Sequence, residues 1–179
     1  MMILNPDIIN VAASSGKWLS EQFHISFTQK INGSEKTFYA MAVDPDFINT
    51  VGLEIIEGRN FSRDLETDKY RTVIINETAV KNFGLDDPLD CEIEMFDFKA
   101  RVVGVVRDFH NESFQKKINS LLLWDVPEYC NNLSIRISDR NIRETIGYIN
   151  EQWKELSPDI PFEYNFLQDK YDALYKEED

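Results

Sequence analysis

Cysteine, histidine and glycine are all scarce in this sequence, and each scarcity removes a class of function. Seven glycines are spread singly over 179 residues. Neither G-x-x-x-x-G-K-[ST] nor G-x-G-x-x-G occurs, so no loop is built to cradle phosphates. Gly16-Lys17 has neither the upstream glycine nor the following hydroxyl residue of such a loop. The two cysteines, Cys91 and Cys130, are too few for a disulfide framework or a zinc site. They can bridge only if their Cα atoms lie about 4.4–6.8 Å apart, and the expectation is that no disulfide is required. The two histidines, His24 and His110, form no H-x-x-x-H or H-x-x-E pattern. No serine or cysteine stands in a nucleophile context such as G-x-S-x-G.

Positive charge is also short. Nineteen basic residues face 32 acidic ones, a formal charge of −13. Such a surface repels phosphate backbones and anionic head groups, which argues against nucleic acid as a partner. No stretch approaches the roughly 18 consecutive apolar residues of a membrane span. The opening Met1-Met2-Ile3-Leu4 is too short for a signal peptide and is stopped by Asn5-Pro6-Asp7. As written, the chain carries no address, as expected of a cytoplasmic protein or of a piece of a larger one.

What the chain does contain is fold punctuation. With 42% hydrophobic and 28% charged residues it has an ordinary globular composition. At this length about 70% of the unfolded surface can be buried without a metal or disulfide. The organising stretch runs from Thr72 to His110 and reads as strand, short capped helix, turn, strand, hairpin and a very apolar strand. Val73-Ile74-Ile75 is the β-branched run of a buried strand. Asn76 supplies a cap and Gly84 a left-handed helix exit. Val102 to Val106 is apolar on both faces, the pattern of a central strand, with Gly104 removing a side chain where something packs close.

Before it, Ile8 to Ala13 reads as a first strand. His24 to Thr28 and Thr37 to Val43 read as a pair joined by a hairpin at Asn32-Gly33. Asp44-Pro45 predicts a helix with Asp44 as N-cap and Pro45 as its first residue, buried through Phe47, Ile48 and Val51 and ended by Gly52. Asp44 to Gly52 and Asn76 to Gly84 share one spacing, which is generic helix punctuation rather than duplication. Glu57 to Ser62 reads as a turn and Arg63 to Tyr70 as a charged loop. Leu121 to Trp124 and Leu133 to Ile137 read as strands, the second with one face toward solvent. Asn141 with Glu144 makes a capping-box pattern. It opens a helix whose stripe is Ile142, Ile146, Ile149, Trp153 and Leu156, closed by Ser157-Pro158. Pro161 to Leu167 predicts a last strand, and Tyr171, Leu174 and Tyr175 the start of a helix. That helical face stops as soon as it starts, which leads one to expect that the natural protein continues.

Asp108-Phe109-His110 is the one pair worth weighing as chemistry, because it follows the central strand and Asp108 could orient the His110 ring. A lone histidine beside one carboxylate is more often structural. Asp86-Asp87 and Asp44/Asp46 sit at helix and turn boundaries, where free N–H groups favour carboxylates without catalysis. No residue is therefore assigned a catalytic, cofactor-binding or metal-binding role. The chain is expected not to be an enzyme and to need no cofactor.

Four segments carry a resemblance: VDPDFINTVGLEIIEGRNFS (Val43–Ser62), VIINETAVKNFGLDDPLD (Val73–Asp90), VVGVVRDFHNESF (Val102–Phe114) and FLQDKYDALYKEE (Phe166–Glu178). In this order they resemble the MacB-like periplasmic core domain of FtsX-type ABC transporter permeases. Asp90 departs from the family, which usually has glycine after Asp-Pro-Leu/Ile. The resemblance implies an α+β fold of mixed sheets with short helices. A βαβ-containing porter-like lobe would span about 1–43 and 125–168, a β-rich inserted lobe about 44–124, and 169–179 would begin a helix leading to the membrane. It implies a non-catalytic domain on the periplasmic side of the inner membrane, coupling a partner ABC ATPase to export or mechanical work. A second permease copy and a periplasmic protein are the further implied partners. Two readings compete with it: a free-standing periplasmic ligand-binding or sensor domain, and a small hydrolase built on Asp108 and His110.

Overall fold

The computed structural model describes residues 5–16, 25–31, 34–89, 91–95, 98–109 and 117–169. Among them, nine strands join one mixed sheet in the order β4-β7-β5-β8-β3-β1-β9, with β2 added to β3 and β6 to β7. The strands are β1 (Ile8–Ser14), β2 (Ile25–Ile31), β3 (Ser34–Val43), β4 (Ile55–Gly58), β5 (Thr72–Asn76), β6 (Glu92–Met95), β7 (Phe98–Val106), β8 (Leu121–Asp125) and β9 (Asn132–Ile137). Among the described residues three α-helices lie complete, α1 (Phe47–Val51), α2 (Glu77–Phe83) and α3 (Ile142–Leu156), and a further helix begins at 167–169. No helix among the described residues is long and apolar enough to cross a membrane. The fold is α+β, as expected.

Burial explains the order. β5 and β8 are buried at every residue, as their unbroken apolar runs require, and they lie side by side near the middle of the sheet. β3 runs parallel to β8, and β5 parallel to β7 with α2 in the crossover. β9, the alternating strand, sits at the end of the order and leaves Leu133 47% exposed. The apolar set divides between the two faces. On one, Ala79 and Phe83 of α2 pack with Phe38, Val73, Ile75, Val102 and Leu122. On the other, Phe47 and Ile48 of α1 pack with Ala12, Met41, Ile74, Val103 and Leu123.

β7 is paired on both sides, as its composition predicts, but lies next to the edge strand β4. Alternation puts Val102 on one face and Val103 on the other, and the register shift on β5 between Val73 and Ile74 then returns Val105 to the Val102 face and Val106 to the Val103 face. A Cβ on Gly104 would stand 2.3 Å from the Arg59 carbonyl oxygen, and one on Gly58 2.3 Å from the Val103 carbonyl oxygen. The two chains approach here as only glycine permits.

Five expectations are corrected. First, α1 begins at Phe47 with Asp46 at the cap position and no side-chain cap. The Asp44 carboxylate accepts from the nearby Asp46 N–H at 3.2 Å, a local turn that uses it up before the helix starts. Second, Glu57-Gly58 is not turn but the end of β4, because its backbone finds β7. Third, Asn141 does not form a capping box. Its φ of 50° is left-handed, whereas a capping residue needs extended backbone, and its amide donates to Asp7 Oδ2 at 3.2 Å. Fourth, the α3 stripe is only partly buried: Ile149 is covered, but Ile142 and Leu156 are exposed. Fifth, residues 161–166 form no strand. Their alternation is real, since Phe162 stacks on Tyr164 at 5.5 Å between centroids, Phe166 meets Tyr164 edge-on at 5.6 Å, and Trp153 adds to Phe162 at 6.4 Å. Alternation specifies extended backbone but not a partner.

The β2–β3 pairing puts Ile31 opposite Ser34, which is the two-residue hairpin expected. Its turn residues Asn32 and Gly33 lie outside the described residues, as do His24, Asp90, His110 and 170–179.

Candidate functional site

Asp108 leaves the end of β7 and turns back onto α2. Its Oδ1 accepts the Thr78 N–H at 2.8 Å and its Oδ2 the Thr78 hydroxyl at 2.8 Å. Glu77 answers by accepting the Asp108 N–H at 2.9 Å. Asp108 thus serves the first turn of α2, where free N–H groups favour negative charge, and Glu77 of that turn holds the Asp108 backbone in return.

Asn76 is the second junction, and sequence reasoning caught only half of its role. Its Oδ1 accepts from Ala79 N at 3.0 Å, the expected cap, and also from Leu121 N at 2.9 Å. Its Nδ2 donates to the Asn119 carbonyl at 2.9 Å. One amide therefore ties β5, α2 and the entry to β8. No local signal could have shown this, because the partners lie more than forty positions away. The notch beside it, lined by Tyr39, Asn76, Phe109, Ile118, Asn119 and Leu121, has no room for a water molecule.

A larger polar cluster joins residues far apart in the sequence, which no local pattern shows as a unit. It gathers where the parallel strands β3 and β8 end, with Val43 opposite Asp125. The loop 59–71 folds over that end. Arg59 donates to both oxygens of Asp68, at 2.6 and 2.8 Å, and the Ser62 N–H adds a third bond at 2.9 Å. Burial works against the Asp68 charge, but these donors prevail and hold its carboxyl below the usual range. Arg63 reaches Asp46 at 2.6 Å and Asp44 at 3.7 Å. Lys69 pairs with Glu128 at 2.5 Å. The Lys69 ammonium and the Tyr70 hydroxyl together draw Glu128 down to about 2.

Asp125 is the exception in this cluster. It is 4% exposed and its Oδ1 has no hydrogen-bond partner. Burial first, then the charges of Asp68 and Asp44, push its carboxyl up to about 6. Nearby, burial and the carboxylates of Asp44, Asp125 and Glu128 push the Cys130 thiol up to about 12, so it is a poor nucleophile. Cys130 is a free thiol. No group of three His, Cys, Asp or Glu side chains among the described residues is arranged to hold a metal.

In fold, the chain is similar to extracytoplasmic domains of ABC-type transporters. The periplasmic region of MacB from Actinobacillus actinomycetemcomitans aligns at 18% identity and a TM-score of 0.64, over 86% of this chain and 69% of that one. The extracellular domain of the noncanonic ABC-type transporter YknZ from Gram-positive bacteria aligns at 16% identity and a TM-score of 0.65, over 88% and 80%. No curated protein matches the sequence. The family model of the MacB-like periplasmic core domain matches residues 4–144, and the chain belongs to that family. It is a periplasmic domain of a MacB-like ABC transporter permease.

Proposed function

We propose that the domain performs no bond chemistry and instead transmits motion, coupling ATP hydrolysis by a partner ABC ATPase to export or to mechanical work in the periplasm. The observation that carries this reading is where the polar side chains are spent. Asn76, Asp108, Glu77, Arg59 and Asp68 all bind neighbouring strands, helices and loops of one continuous sheet. A sheet packed on both faces moves as a body, since a close-packed interior transmits strain rather than absorbing it. On this reading a porter-like lobe takes about 1–43 and 125–168 and an inserted lobe about 44–124; the parallel pairing of β3 with β8 supports a displacement carrying from one to the other. The ATPase acts through the membrane part of the permease, with a second permease copy and a periplasmic protein as further partners. The isolated chain neither binds ATP nor catalyses.

The test uses the full-length permease with its ATPase in liposomes. A Gly-Ser insertion after Tyr175 adds a flexible segment between the domain and the membrane helix that this reading places after it. Transport is expected to be lost while ATP hydrolysis stays measurable. Transport that survives unchanged would remove the rigid link and favour a ligand-binding or sensor domain.

A further inference from the structure

The cluster at the end of β3 and β8 contains one group that its own cross-links leave out. Asp125 is buried with Oδ1 unpartnered, and a buried carboxylate in that condition is costly unless neutralised. A metal ion does not fit. Both Asp68 oxygens are already taken by Arg59 and the Ser62 N–H, and no three ligating groups converge among the described residues. With no open surface at Oδ1, the proton is the cation small enough to reach it.

Every element packed here brings charge to Asp125. The end of β3 brings Asp44, with Asp46 beyond it, and the loop 59–71 brings Arg63, Asp68 and Lys69; the turn after β8 adds Cys130, an un-ionised thiol, and Glu128, which is paired with Lys69. The positive groups are engaged elsewhere, Arg63 by Asp46 and Lys69 by Glu128. The loop is also held under tension. Tyr70 has φ of 66°, a left-handed conformation that is strained for a bulky residue. Its N–H is fastened to the Asp125 carbonyl at 3.1 Å.

We propose that Asp125 is a proton-operated latch: protonated, it lets the 59–71 loop and the 126–130 turn close on the sheet end, and ionised, it adds its charge to those of Asp44 and Asp68 and loosens both. This stands apart from the mechanical reading and fails or holds independently of it. A carboxyl whose pKa is higher in the closed form than in the open one favours closure at low pH. That preference is lost as pH rises through the interval between the two values, here from the ordinary 3.8 to about 6.

Amide hydrogen exchange of the 179-residue chain, normalised to intrinsic rates, tests it. The amides to follow are Tyr70, Thr72 and Val126, which donate to Asp125, Asp68 and Val43. Their protection is expected to fall about tenfold between about pH 5 and about pH 7.5 and to stay level in Asp125→Asn. A level profile in the unaltered chain, or an equal fall in Asp125→Asn, would overturn the latch. Should the variant not fold, carboxyl-carbon NMR titration of Asp125 in the unaltered chain decides. A midpoint near 6 supports the latch, and one near 4 overturns it.

Discussion

Two strand-to-helix units of this domain are written to one plan, and they are built differently. In both, a polar residue ends a buried strand, a short helix follows, and a glycine of positive φ ends it: Gly52 at 81° and Gly84 at 67°. β5–α2 uses Asn76, an amide that accepts and donates at once, and its bonds to Ala79, Asn119 and Leu121 are all to backbone. β3–α1 uses Asp44, which only accepts. Its carboxylate is satisfied locally by Asp46 N, and its pKa is raised by burial and by the Asp46 charge beside it. An amide at a strand end can become a hub. A carboxylate there gathers cations and like charges instead, and the β3 end became the polar cluster around Asp125.

The largest effect should come from the sheet on which both units stand. Val103 faces the α1 side and Val102 the α2 side. An aspartate at either position leaves an unpaired charge in a buried strand, at a cost of several kcal/mol. Val103→Asp and Val102→Asp should both fail to give a cooperatively melting protein. Cooperative melting of one but not the other would show that the two faces are unequal in strength.

Next comes the contrast between the caps. Asn76→Ala leaves the Ala79 and Leu121 N–H groups and the Asn119 carbonyl without their partner, for a loss of roughly 4 kcal/mol. Asp44→Ala removes one 3.2 Å bond and one weak ion pair. It also relieves like-charge repulsion, so its net effect should stay within about 1 kcal/mol. Urea denaturation of both variants measures the difference. Equal losses would mean that Asn76 is merely a cap.

The comparison also shows what sequence can and cannot carry. The β-branched run of β5, the glycine exits and the close approach at Gly104 are local demands of backbone and packing, so residue type alone discloses them. Asn76 was readable as a cap because its partner Ala79 is three positions on. Its bonds to Asn119 and Leu121 depend on which strand arrives beside it. The same limit explains β4, whose Glu57-Gly58 resembles a turn until β7 supplies a partner. It also explains residues 161–166, whose alternating aromatics resemble a strand although no partner is present among the described residues. The polar cluster joins positions 44 to 130, and only the parallel pairing of β3 with β8 brings them together.

The smallest expected difference lies at the two helix exits. Gly84 has open space where a Cβ would go, so Gly84→Ala should cost only the left-handed backbone term, about 1 kcal/mol. At Gly52 a Cβ would stand 2.7 Å from Arg136 Nη2. That guanidinium is not idle: its Nε donates to the Thr50 carbonyl at 2.8 Å, linking β9 to the last turn of α1. Gly52→Ala should therefore cost about 1 kcal/mol more than Gly84→Ala, the worth of one displaced hydrogen bond. Because the neighbour is the end of a flexible side chain, the backbone need not move. Arg136→Ala should then remove the excess, so that Gly52→Ala in that background costs no more than Gly84→Ala. A double-mutant cycle on melting curves isolates the coupling. If Gly52→Ala costs the same with and without Arg136, the exit glycine is there for its φ alone, and the two units are alike at this end after all.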